Sequence, residues 1–393
     1  PVPDVNIALL NAYFAQQQST ILGLLDVMSG GAFSNATIFA LSIQPYINAS
    51  IIIQLLCIAI PSLERLSKEG GEEGRKKIAS ITRYATVAIG LIQGFAYYML
   101  IKNNNMLNAD AQGIWSAIVI ILTFTSGSAL IMWLGEQITE FGIGNGISMI
   151  LFASIISRLP TSLITTVRNI TAGNLQWWLA LLMLIGAVAM IVLIVYVNDA
   201  ERRIPVQYAK RVVGRKMYGG QSTHLPMKVN MSGVMPIIFA QSIASVPATI
   251  VAFTGKTDGW VNTWFSNNSI PYAIIYFLLI IFFAYFYSTI QFNPVEVANN
   301  LKKNGGYIPG FRPGKPTSEF IQKVLNKITL FGAIYLGIIA IVPILISHFS
   351  NAAALTGLSL GGTSIIIVVG VALETVRALE AQMLMRNYKG FLS

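Results

Sequence analysis

The stretch TILGLLDVMSGGAFSNATIFALSIQPYINASIIIQLL, residues 20–56, sets the frame for the rest of the chain. It has two unlike parts. Ile21 to Met28 reads as one or two amphipathic helical turns carrying a single acid, Asp26, and ends in Ser29-Gly30-Gly31. It is far too short to cross a bilayer, which takes about 20 apolar residues. The second part, 36–60, is long enough but unusual for a lipid-facing helix. Pro45 sits in its middle and removes a backbone donor. Gln44, Asn48, Ser50 and Gln54 lie along it, which suits a helix facing water or other helices. Two readings stay open on these residues: a movable element beside a passage, or a re-entrant loop and buried helix of any polytopic protein.

Composition settles the broad class. Of 393 residues, 54% are hydrophobic and only 11% charged, with a mean hydropathy of +0.64. Soluble domains carry about 25% charged residues, so the chain is an integral membrane protein, and with the helical spans below an all-α polytopic one is expected. The net charge of +10 then belongs to loops on the cytoplasmic side rather than to a nucleic-acid surface. The single cysteine, Cys57, rules out an internal disulfide and a multi-cysteine metal site. His224 and His348 are far apart and read as ordinary loop or interface residues, so neither a metal nor a cofactor is expected.

Nine apolar spans follow from hydropathy: 36–60, 78–101, 114–134, 147–168, 176–197, 230–253, 270–292, 326–347 and 359–381. Arg158 and Pro160 weaken the fourth. Basic residues gather in loops 61–77, 198–229 and 293–318 and in the tail, which places these segments, and the C-terminus, in the cytoplasm. The opposite loops hold only Lys102, Arg158, Arg168 and Lys256. Nine spans leave Pro1 outside, so a further span is expected upstream of it. No Asp or Glu falls securely at mid-membrane, which disfavours an ion-coupled transporter.

Two cytoplasmic loops are more than connectors. In 198–229 the alternation of IPVQYAKRVV and a Gly219-Gly220 turn predict a protruding hairpin. In 293–318 a short helix stops at Gly305-Gly306, and Pro309, Pro313 and Pro316 predict a stiff arm presenting Arg312. Such projections suit docking of a large partner; a basic face against anionic lipid is the simpler reading. There is also an internal echo. Pro45 and Pro236 are each followed by isoleucine two residues on (Ile47, Ile238) and alanine four on (Ala49, Ala240). Kinked spans in corresponding halves point to a central site.

FALSIQPYINASIIIQLL, WLGEQITEFGIGNGISMI, QSTHLPMKVNMSGVMPIIFA, NNLKKNGGYIPGFRPGKPT and GGTSIIIVVGVALET together resemble the SecY/Sec61 alpha family of protein-conducting channels. The resemblance runs through nearly the whole chain in order. It implies two inverted five-helix halves around a central hourglass pore, with the first transmembrane helix absent from this chain. It implies an apolar pore ring at Ile43, Ile47, Ile147, Leu151, Ile238 and Ile367. A plug from about Thr20 to Phe33 would close the outer funnel through Ile21, Leu22, Leu24, Leu25, Met28, Ser29 and Gly30. A lateral gate would carry Asn48, Gln93 and Asn230, and Arg203 and Arg312 would meet the SecA motor or the ribosome. SecE and SecG subunits, signal sequences, translocating chains and membrane lipid complete the implied partners. The function implied is a passive channel rather than an enzyme: no GxxxxGK[ST] motif is present, so energy comes from a partner. A solute transporter with inverted repeats is the alternative.

Overall fold

The computed structural model describes residues 2–16, 21–68, 70–108, 113–173, 176–208, 211–213, 216–218, 222–231, 233–254, 264, 269–349 and 362–389. Thr20, Lys210, Arg215, the Gly219-Gly220 turn, Lys256 and the first residues of the span expected at 359–381 lie outside this set, as do the side chains of Ile21, Leu24 and His348.

The chain opens with two short helices, α1 (Ile7–Gln16) and α2 (Ile21–Met28). Residues 29–43 then fold as successive turns, and helix α3 (Gln44–Ala59) starts only at Gln44. This corrects two expectations. The span predicted at 36–60 is helical only in its second part, and Pro45 lies in its first turn rather than at a mid-helix kink. A missing N–H there costs nothing, because the first amides of a helix have no partner within it. The early turns are closed by bonds such as Thr37 N–H to the Ala32 carbonyl (3.1 Å), and Ala36 and Ser42 adopt positive φ. After Ala59 the chain bends by 105° into α4 (Pro61–Lys68).

The basic segment 61–77 is not a loop. It consists of α4 and the first turns of α5 (Gly71–Asn103), which carry Arg75, Lys76 and Lys77. Helices α6 (Ile114–Phe141), α7 (Gly146–Ser157), α8 (Leu159–Thr171) and α9 (Trp177–Asp199) follow. The break between α7 and α8 falls at Arg158, yet the two continue as one 26-residue span, Gly146–Thr171. The second half contains α10 (Met235–Thr254), α11 (Ile270–Gln291), α12 (Pro294–Lys303), α13 (Lys315–Phe349) and α14 (Gly362–Lys389).

Among the described residues, six helices are long and apolar enough to cross a membrane, or up to seven if α3 and α4 form one bent span. Of the nine spans expected, 230–253 appears as the shorter apolar helix α10, and 359–381 as α14, which bears Glu374, Arg377 and Glu380.

The predicted hairpin is present. Strand β1 (Glu201–Tyr208) pairs antiparallel with β4 (Ser222–Lys228), with Ile204 opposite Leu225, and β2 (Arg211–Val213) pairs with β3 (Lys216–Tyr218) at its far end. The proline-rich segment is not a free arm. Its first residues, β5 (Gly306–Tyr307), add a third strand on the other edge of β1. Ile204, Val206 and Met227 bury against Leu301, Ile308, Ile321 and Leu325. Phe311 stacks on Phe320 with ring centroids 4.2 Å apart. Apolar alternation on the hairpin therefore serves to seat it on α12 and α13.

Candidate functional site

The six ring positions come from four helices and the residue before one of them. Ile43 precedes α3, Ile47 lies in its first turn, Ile147 and Leu151 lie on α7, Ile238 on α10 and Ile367 on α14. All meet in one apolar cluster. Ile43, Ile47, Leu151, Ile238 and Ile367 are 0–3% exposed, and Ile147 packs against them partly buried. Pro45 and Pro236 each occupy the second residue of a helix, so the sequence echo corresponds to two helix starts that deliver Ile47 and Ile238 to the same cluster.

Local chemistry fixes α7. Asn145 caps it, its side chain accepting from the Ile147 and Ser148 amides at 3.0 and 3.3 Å. Thr139 Oγ1 accepts the Gly146 amide at 2.9 Å. A Cβ on Gly146 would lie 2.0 Å from the Gly135 carbonyl oxygen, so α6 and α7 touch backbone to backbone at this point. That approach is what brings Ile147 and Leu151 to the centre.

The short helix α2 reaches the cluster with its last residue. Met28 is buried among the ring residues, and its sulfur accepts from Gln44 Nε2 at 3.2 Å and faces Gln241 Nε2 at 3.7 Å. Leu22 and Phe33 are buried in a second cluster with Leu10, Phe14, Tyr97 and Phe124, with Leu25 at its edge. The Tyr97 hydroxyl donates to the Phe33 carbonyl, and the Phe33 and Tyr97 rings stack at 4.4 Å. Ser29 Oγ accepts the Phe33 amide at 3.0 Å. Gly30 (φ +68°) packs on α7, where a Cβ would come 3.0 Å from Ser157 Oγ. Asp26 is buried and pairs with Arg158.

A cavity of about 450 Å³ lies between α3 and α5 on one side and α10 on the other, with Leu25, Ser29 and Phe33 at one end. Its lining is mostly aliphatic, with Asn48 and Gln93 among eight polar side chains. Asn230 is elsewhere. It donates to Asn198 Oδ1 at 2.9 Å, at the end of α9. A contact that sequence reading did not single out does cross between these groups of helices: the Tyr287 hydroxyl on α11 donates to Gln54 Oε1 on α3 at 2.6 Å. Gln54 was visible as a misplaced polar residue; Tyr287 carried no signal among the aromatics of α11.

Arg203 and Arg312 stand on the sheet assembly, both exposed. Arg203 pairs with Glu201 on the same face of β1 at 2.6 Å, and the Arg312 carbonyl accepts from Thr317 Oγ1 at 2.7 Å, leaving its guanidinium outward-facing in a loop held by Phe311.

An apolar cluster reached by a short helix and flanked by a cavity between helices is the geometry against which the chain's relatives can be set. The family model described as SecY matches residues 37–376. The chain is 45% identical to the protein translocase subunit SecY of Streptomyces scabiei over 411 residues, covering all of this chain and 92% of that one. It is 42% identical to the same subunit of Mycobacterium tuberculosis over 414 residues, with the same coverage. In fold it is similar to a solved protein-conducting channel (TM-score 0.67, 17% identity, 98% of this chain and 94% of that one). It is also similar to Sec61 in a canine ribosome-channel complex from the endoplasmic reticulum (TM-score 0.63, 17% identity, the same coverage).

Proposed function

Because the chain belongs to the SecY family, and is thus the protein-conducting channel subunit of a Sec translocon, we propose which of its residues form the seal, the gate and the docking surface. The seal is the ring Ile43, Ile47, Ile147, Leu151, Ile238 and Ile367, stopped by the plug α2 with Met28 at its tip. The observation that carries this reading is the meeting of these residues, distant in sequence, in one buried cluster. A narrow aliphatic constriction dewets and so blocks ions. Its side chains give way to an extended polypeptide without binding it.

The lateral gate runs between α3 and α5 on one side and α10 and α11 on the other. The apolar cavity with Asn48 and Gln93, and the Gln54–Tyr287 bond, support it. Membrane-buried side-chain hydrogen bonds contribute about 0.6 kcal/mol on average, so a hydrophobic segment can part them. Asn230 takes a different part, joining the end of α9 to the start of the gate helix α10. The chain resides in the bacterial plasma membrane with its C-terminus and hairpin in the cytoplasm. Unfolded secretory chains pass outward and membrane helices leave sideways into lipid. Arg203 and Arg312 dock the SecA motor or the ribosome, and SecE and SecG complete the complex. Ribosome-bound Sec61 and yeast Ssh1 channels of the same fold support the ribosome as a partner.

The test is disulfide crosslinking during transport, with cysteine at Ile238, Cys57 replaced, and single cysteines along a stalled secretory chain. A crosslink that requires motor and ATP is expected. No crosslink at Ile238, with an outer-funnel position reacting, would remove the ring assignment.

A further inference from the structure

Asp26 is a buried acid on the short helix α2, and its two carboxylate oxygens have different partners. Oδ1 accepts the Ser34 amide at 2.7 Å, which closes the loop behind the helix. Oδ2 accepts from Arg158 Nη2. Arg158 stands at the α7–α8 break, one helical face beyond Leu151 and Ile155, which are buried in the ring cluster. The segment after α2 is shaped to allow this contact. Gly31 has φ +87°, and a Cβ there would lie 2.9 Å from Arg158 Nη2. At Gly30, with φ +68°, a Cβ would lie 3.2 Å from the Ser154 carbonyl oxygen. A side chain at Gly31 would crowd the Arg158 guanidinium, and one at Gly30 would crowd α7 at Ser154 and Ser157, so both glycines allow the close approach in which the ion pair forms.

We propose that Arg158 is a positioning residue for channel closure, pinning the plug against α7 through Asp26. This rests on the reading of α2 as the plug. Moving α2 away from the ring separates a carboxylate from its one cationic partner among the described residues. Breaking a buried pair costs more than forming it contributes, because the remaining charge is left in a poorly solvated site. The closed state is therefore favoured until Asp26 reaches water in the open funnel. The residue is not one of the six ring positions. Its role is to set how often the resting plug leaves.

The experiment uses the complete translocon complex in planar bilayers, with resting ion conductance as the readout. Asp26→Asn keeps the shape and the acceptor for the Ser34 amide and removes the charge together with the oxygen that accepts from Arg158, so it carries the test even if Arg158→Gln fails to fold. It is expected to raise the open fraction about tenfold, equivalent to about 1.4 kcal/mol. Arg158→Lys is expected to retain most of the seal. The double variant Asp26→Asn with Arg158→Gln is expected to leak no more than the worse single variant, as coupled residues do. Deleting residues 21–33 serves as the reference for an unplugged channel. Single variants at the wild-type conductance, or effects that simply add, while the deletion leaks, would overturn the pin and leave the plug reading standing. A deletion that does not leak would remove the plug reading and the pin with it.

Discussion

Gly127→Ala should be among the most damaging single-methyl additions in this channel. Gly127 is buried on α6 against the turns that lead into α3. A Cβ at this position would lie 2.0 Å from the Ile38 carbonyl oxygen, 2.7 Å from its carbonyl carbon and 2.8 Å from its Cγ2. Ordinary contact begins at about 3.4 Å, so the 37–43 segment or α6 must retreat by more than 1 Å. The obstructing atoms are mainly backbone, which cannot rotate away. Overpacking of this kind costs about 1–3 kcal/mol, and the upper end applies here. With an unfolding entropy of about 2.1 cal/mol/K per residue, the 393-residue chain has about 0.8 kcal/mol/K, so Tm falls by about 4 °C. Gly186→Ala is the internal control. Gly186 on α9 has no atom within 4 Å of a built Cβ, and alanine is the better helix former by about 1 kcal/mol. The assay is thermal unfolding of the purified complex in detergent at one fixed scan rate, since such transitions are often irreversible. A Gly127→Ala protein with unchanged Tm, or a Gly186→Ala protein destabilised as much, would refute the reasoning that backbone contact at α6 sets the position of the 37–43 segment.

Other outcomes are equally concrete. Tyr287→Phe removes the donor to Gln54. It should ease lateral opening by about 0.6 kcal/mol, near threefold, seen as more efficient insertion of a marginally hydrophobic test helix; equal insertion thresholds would count against a gate contact. Ile47→Asn puts an amide into the aliphatic ring and should raise resting conductance by wetting the constriction, with Ile53→Asn on the same helix as a control for misfolding. Arg312→Glu reverses an exposed charge and should slow motor-driven export severalfold while shifting Tm by less than about 1 °C; normal export would take Arg312 off the docking surface.

Hydropathy and charge were enough to establish a polytopic helical membrane protein, because a bilayer accepts only long apolar helices with satisfied backbones, and that constraint is written residue by residue. The hairpin was readable for the same kind of reason: alternation along Ile204 and Val206 is a local property of a strand. The ring was not readable from the residues. Six aliphatic side chains in apolar helices look like packing, and that α3, α7, α10, α14 and the residue before α3 bring them into one buried cluster is a matter of tertiary structure. Pro45 misled for a local reason: its sequence looks the same at a helix start as at a kink, and the turns before Gln44 depend on contacts with α6. Asn48 and Gln93 share a cavity while Asn230 does not, since side chains on separate helices meet according to tertiary packing rather than spacing. The Asp26–Arg158 and Gln54–Tyr287 pairs belong to the same class. Asp26, Arg158 and Gln54 announced their polarity in the sequence and Tyr287 did not, but in both pairs the partner was chosen by how the helices pack.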